Sequence, residues 1–118
     1  MLFLVLLVLS ALLAPAQQSA PVNFQREIRP ILSDNCFACH GPDKGTRLAG
    51  LRLDLKEEVF AARKNGAAVV PGKPAASQLY LRVVEPDAAR RMPPAASHKE
   101  VTKAQAETLR RWIEQGAK

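Results

Sequence analysis

The chain has 118 residues and a net charge of +6, from 17 basic and 11 acidic side chains, which leaves room for one domain. At 47% hydrophobic it is too apolar for a disordered tail, yet aromatics are only 5%, so a packed core must be aliphatic unless something else helps to fill it. Two cysteines exclude a disulfide-rich scaffold, and the sequence contains no P-loop, Gly-rich dinucleotide turn or Ser/His/Asp arrangement of the usual enzymes.

Leu2 to Leu13 is an apolar run interrupted only by Ser10 and the small Ala11. Its length falls short of the roughly 20 residues that span a bilayer as a helix and suits the h-region of a secretory signal. Ala14-Pro15-Ala16 supplies small residues at the two positions a signal peptidase reads, which predicts cleavage after Ala16: residues 1–16 are a signal peptide and 17–118 the mature domain. No Lys or Arg precedes the run, so an uncleaved anchor or a buried helix stays as the alternative, and only then would the protein keep a membrane attachment. The expected destination is exported, periplasmic or otherwise extracytoplasmic. A mature domain this small is marginal on its own core and would gain from a bound cofactor.

Asn23 can cap a helix that starts at Phe24. Phe24, Ile28, Ile31 and Leu32 repeat at the i, i+4, i+7, i+8 spacing of one buried face. Pro30 should kink this helix, and Ser33-Asp34-Asn35 should end it. Cys36-Phe37-Ala38-Cys39-His40 follows immediately. Both cysteines and one of the two histidines of the chain fall in this pentapeptide. Cys-x-x-Cys-His is the attachment sequence for c-type haem. Two intervening residues in a near-helical turn put both sulfurs along one haem edge, where they add to the vinyl groups as thioethers. The adjacent His40 then swings under the iron as proximal ligand. Thiol redox chemistry would need a thioredoxin-like strand before the motif, and Phe24–Leu32 reads as helix instead. A zinc site would have to use Cys36, Cys39, His40 and His98, with two of them adjacent. A plain disulfide is the third alternative in an exported protein.

Gly41 to Gly45 reads as a loop, and Gly50 to Asp54 as a short extended segment. Asp54 with Glu57 resembles a capping box, predicting a helix from Leu55 to about Lys64, stopped by Asn65-Gly66. Val69 to Pro74 is a turn. Ser77 should open another helix through Leu79, Tyr80, Val83 and Val84, ended by Pro86. Arg91-Met92-Pro93-Pro94 follows. Met92 is the one methionine outside the signal, and two prolines stiffen its loop, so it is the candidate sixth iron ligand; a gap-filling core Met is the alternative. His98, in a polar run, is the other candidate ligand and reads as solvent-exposed. Thr102 with Gln105 forms a capping box for the last helix, whose apolar stripe is Ala106, Leu109, Trp112 and Ile113, with Gly116 as its stop.

These segments together resemble the planctomycete-type cytochrome c domain. The resemblance lies in Phe24–Asp43, Gly50–Asp54, Val70–Leu79, Arg91–Pro94 and Leu109–Ala117. It implies an all-α cytochrome c fold, with N- and C-terminal helices packed around one covalently bound haem c and short helices and loops between them. It further implies thioethers on Cys36 and Cys39, and His40 and Met92 as axial ligands. In such families the module often opens a much longer polypeptide, whereas here it closes at Lys118, which fits a free-standing carrier or a piece of a split gene.

The expected function is electron transfer by a single haem with His/Met ligation, as a carrier or as the haem module of a larger redox system, and not catalysis, since no general base, nucleophile or open metal position is visible. The alternatives are a haem-based sensor or small-molecule-binding domain, and an accessory haem docking domain of a larger catalytic chain. The expected partners are the haem-attachment machinery and a redox protein, acidic if the +6 charge steers association, with Arg90 and Arg91 ringing the haem edge. Nucleic acid is not expected, because no aromatic-basic platform exists.

Overall fold

In a computed structural model of the chain, residues 20–118 are described; the expected signal peptide and its cleavage point lie outside them. These residues form helices and connecting loops with no strand among them, as an all-α domain requires. Four α-helices follow in order: α1 (Arg29–Asn35), α2 (Lys56–Phe60), α3 (Gln78–Val83) and α4 (Lys103–Glu114). A π-helical turn, Phe24–Ile28, precedes α1, and single 3-10 turns lie at Pro74–Ala76 and Ala95–Ser97.

The first helical segment begins where the capping signal places it. The Asn23 side chain accepts from the Arg26 N–H at 2.8 Å, and Glu27 reaches back to the Asn23 N–H at 2.6 Å. Pro30 marks a change of winding. The Arg29 N–H bonds the Phe24 carbonyl five residues back, Pro30 has no N–H to give, and beyond it the chain is α-helical to Asn35.

The last helix is the best specified. Thr102 and Gln105 form both halves of a capping box. At the other end Gly116, at φ 103°, donates to Ile113 O at 3.0 Å, and Ala117 donates to Trp112 O at 2.9 Å. This is the Schellman pattern, and glycine relieves the left-handed position it needs. The helix buries Ala106, Leu109, Trp112 and Ile113, the stripe read from the sequence.

That stripe packs on the π turn and on α3. Phe24 and Trp112 rings sit 5.5 Å apart, and Ile28, Leu32, Leu109 and Ile113 are essentially closed to solvent. Burying each such side chain contributes roughly 1.5–3 kcal/mol. The Gln115 amide fastens the entering chain, accepting from Val22 N–H at 2.8 Å and donating to Ala20 O at 3.2 Å. The N- and C-terminal helices are therefore packed together directly.

The middle of the chain departs from expectation in one place. The helix foreseen from Leu55 to about Lys64 stops at Phe60, and Asp54 does not cap it. Arg52 takes the Asp54 carboxylate instead, at 2.6 Å, and Ala61 turns extended. The chain then doubles back, so that Val69 N–H reaches Val59 O at 3.0 Å. Asn65-Gly66 forms a turn in this return rather than a helix stop, with Gly66 at φ 103°. Ser77 precedes α3 without capping it. It is fully buried, accepts from Val70 N–H at 2.9 Å and donates to Lys73 O at 2.8 Å, so it closes the Val69–Pro74 turn.

Candidate functional site

Cys36 is the C-cap of α1, its N–H still bonded to Leu32 O at 2.8 Å. From there the chain makes one tight turn. Cys39 N–H and His40 N–H both donate to Cys36 O, at 3.2 and 2.8 Å. The two thiols and the imidazole therefore issue from a single turn, as the sequence spacing predicts. Gly41 is needed immediately afterwards, because a Cβ there would run into the Phe37 carbonyl oxygen.

The loop that follows folds back over the turn. Leu48 N–H donates to Cys39 O and Leu53 N–H to His40 O, both at 2.8 Å. Thr46 Oγ1 donates to Ala38 O at 2.7 Å, and Arg47 Nε to Gly41 O at 3.0 Å. His40 Nδ1 lies 3.2 Å from Leu48 O. Protonated at Nδ1, the ring donates to that carbonyl and leaves Nε2 as a free electron pair, the arrangement of a metal-ligating histidine. Burial lowers the His40 pKa, Leu48 O opposes this, and the Arg63 guanidinium adds to the lowering; the neutral imidazole is the form that can ligate iron.

Leu48 O also accepts from Leu51 N–H at 3.2 Å. The two residues between them, Ala49 and Gly50, have φ of 56° and 61°, as in a type I′ turn. A positive φ at an alanine costs on the order of 1 kcal/mol. Arg63 Nη2 bonds the Ala49 carbonyl at 2.7 Å.

The cysteines are free thiols. Burial, with Cys39 adding and Lys99 opposing, pushes the Cys36 thiol up to about 11. A redox-active Cys-x-x-Cys depends on the opposite shift, usually at a helix N-terminus; Cys36 caps a helix C-terminus, where the dipole disfavours a thiolate. Among the described residues no three His, Cys, Asp or Glu side chains come together as a metal cluster, so the geometry gives the zinc alternative no support.

Met92 lies on a separate loop. Its N–H donates to Arg82 O at 3.0 Å. Arg91 braces the same loop by donating to Glu85 O at 2.6 Å and Pro86 O at 2.7 Å, and Arg82 Nη1 donates to Arg90 O at 3.0 Å. With Val83, Val84, Val101 and Ala106, Met92 lines an open cavity of about 430 Å³. Cys36, Cys39 and His40 are not among its lining residues. The two parts are tied together further on: Lys99 Nζ donates to Asp34 O at 2.7 Å, joining the end of the Met92 loop to the last turn of α1. His98 is exposed, at φ 57°, just beyond the 3-10 turn.

Leu48 O, Gly41, Arg63 and Lys99 complete the site and were not singled out by sequence reasoning. A backbone carbonyl leaves no side-chain signal, and Arg63 and Lys99 act across 14 and 65 residues of chain. The glycine directly after His40 was the one available clue.

The family model of Planctomycete cytochrome C matches residues 36–96, from the first cysteine past Met92 and over more than half of the chain. The chain belongs to the planctomycete cytochrome C family. No curated protein and no solved structure matches it. Membership of a cytochrome c family implies covalent haem c and, in general, electron transfer. The residues present fit such a group. Two thiols and an imidazole with a free Nε2 share one turn, and of the most exposed large hydrophobic residues among those described, Leu48 at 59% presents its carbonyl to His40 Nδ1 and Val84 at 42% lines the Met92 cavity.

Proposed function

We propose that this planctomycete cytochrome C domain carries one haem and transfers electrons, with Cys36 and Cys39 as its thioether anchors, His40 as proximal ligand and Met92 as distal ligand. The observation that carries the reading is the Cys36–His40 turn, in which His40 Nδ1 is engaged by Leu48 O and Nε2 is left to ligate. When bound, the haem supplies a one-electron iron couple. The protein does the rest. Cys36 and Cys39 fix the haem edge, so it cannot dissociate on changing oxidation state. Leu48 O orients the His40 ring and makes it a stronger donor. Arg91 and Arg82 brace the loop that bears Met92, whose soft thioether favours the ferrous iron.

The same reading makes the protein exported, since thioether attachment in bacteria goes with the secretory signal read at residues 1–16. Exposed Arg90, Arg91 and Lys99 border the Met92 loop and suit an acidic redox partner. The test is acid–acetone extraction of protein produced with haem-attachment machinery, followed by intact mass. Haem colour should stay on a polypeptide with the mass of residues 17–118 plus one haem. Complete extraction of the colour would overturn the assignment, and a mass that retains residues 1–16 would overturn cleavage after Ala16.

A further inference from the structure

We propose that Arg63 is a positioning residue for the proximal imidazole, holding the turn at residues 48–51 so that the Leu48 carbonyl stays on His40 Nδ1. The inference rests on the reading of His40 as iron ligand. The line of contacts has three links. Arg63 Nη2 donates to Ala49 O at 2.7 Å; Ala49 follows Leu48 in a turn with positive φ at both central residues; and Leu48 O faces His40 Nδ1 at 3.2 Å. A turn with an alanine at φ 56° tends to relax toward negative φ unless something restrains it. Arg63 supplies that restraint from outside the haem-attachment segment. Its own carbonyl accepts from Gly66 N–H at 3.0 Å, in the return loop that Val69 closes onto α2. Rigidity of α2 and its loop is thus transmitted to the orientation of one carbonyl.

The chemistry gives this role a sign. A carbonyl held on the far ring nitrogen makes the imidazole more electron-donating, which favours ferric iron. Loss of the restraint therefore raises the reduction potential. The positive charge of Arg63 acts the opposite way, because removing a cation near the iron lowers the potential. The charge of this half-buried guanidinium is screened by salt, whereas the positioning effect is not.

The experiment compares holoprotein carrying wild-type Arg63, Arg63→Met and Arg63→Lys at high ionic strength. It reads the midpoint potential and, by NMR of the ferrous protein, the exchange rate of the His40 Nδ1 proton. Arg63→Met should shift the potential upward and speed the exchange severalfold; Arg63→Lys, which keeps the charge but loses the planar fork of the guanidinium, should fall between. An unchanged or lower potential with unaltered exchange overturns the proposal, even if Arg63→Met lowers thermal stability. Should Arg63→Met fail to mature, Arg63→Lys must still show both shifts, and wild-type values in it overturn the proposal. A wild-type protein without covalent haem, or one whose His40 resonances show no ligation, instead brings down the functional reading and this inference with it.

Discussion

The two sides of the candidate site are built in different ways. The proximal side, residues 36–53, is a turn covered by its own downstream loop. Two backbone bonds tie the loop to the turn, Leu48 to Cys39 and Leu53 to His40, Thr46 and Arg47 side chains reinforce them, and a glycine is demanded by contact with Phe37. The loop proposed to be distal, from Glu85 to His98, has one backbone bond from Met92 to Arg82 O and is otherwise held largely from its rim. Two arginines donate to its carbonyls, both from exposed or half-exposed positions, and the cavity beside Met92 is open. The contrast teaches where stiffness is needed. Thioether attachment and proximal ligation require three side chains in fixed relation, which short backbone bonds enforce. A thioether ligand, the role proposed for Met92, would need only to be kept within reach, for which side-chain braces would be enough.

The proximal side should break hardest. Gly41→Ala forces a Cβ against the Phe37 carbonyl, and backbone is the atom that must move. The cost should be about 3 kcal/mol, seen as a large drop in thermal midpoint and in the fraction of chain that acquires covalent haem. Normal maturation of this variant would show that the turn is not as tight as the contact implies.

Met92→Ala tests the distal side without disturbing attachment. Haem should stay covalent, the ferric Met–iron charge-transfer band should vanish, the potential should fall, and added imidazole or cyanide should bind more tightly. His98→Ala, at an exposed position, should leave the spectrum as it was. The reverse pattern would make the ligation bis-His and move the distal side to His98.

Arg91→Met sharpens the comparison further. It removes two hydrogen bonds to loop carbonyls at about 1 kcal/mol of stability. The charge-transfer band should persist while imidazole binds faster, because the loop opens more often. Equal rates in wild type and variant would mean that Arg91 does not hold the Met92 loop.

The smallest effect concerns acid. Arg52 holds the Asp54 carboxyl below its ordinary range, chiefly through their hydrogen bond. A depressed folded pKa contributes stability that is present above the unfolded value, about 4, and is lost as pH falls through the folded value. Asp54→Asn should therefore flatten part of the acid limb of stability against pH. The pair is partly exposed, so the change should be slight and weaker in salt.

Sequence alone determined the features set by neighbours in the chain. The Asn23 and Thr102/Gln105 caps, the stripe of the last helix and its glycine stop all depend on residues within one or two turns. The cysteine–histidine spacing places three side chains on one turn for the same reason. Tertiary structure decided what depends on competition between distant or alternative partners. Asp54 precedes the α2 N-terminus but bonds Arg52 instead, so α2 begins without a side-chain cap, and it ends at Phe60 where Ala61 turns extended. Arg63 reached the Ala49 carbonyl and Lys99 the end of α1, contacts that exist only because the return loop after α2 and the approach to α4 bring those side chains back. No periodicity or motif encodes such a meeting, since a long flexible cation has many acceptors in sequence space and is assigned one only by the packing around it.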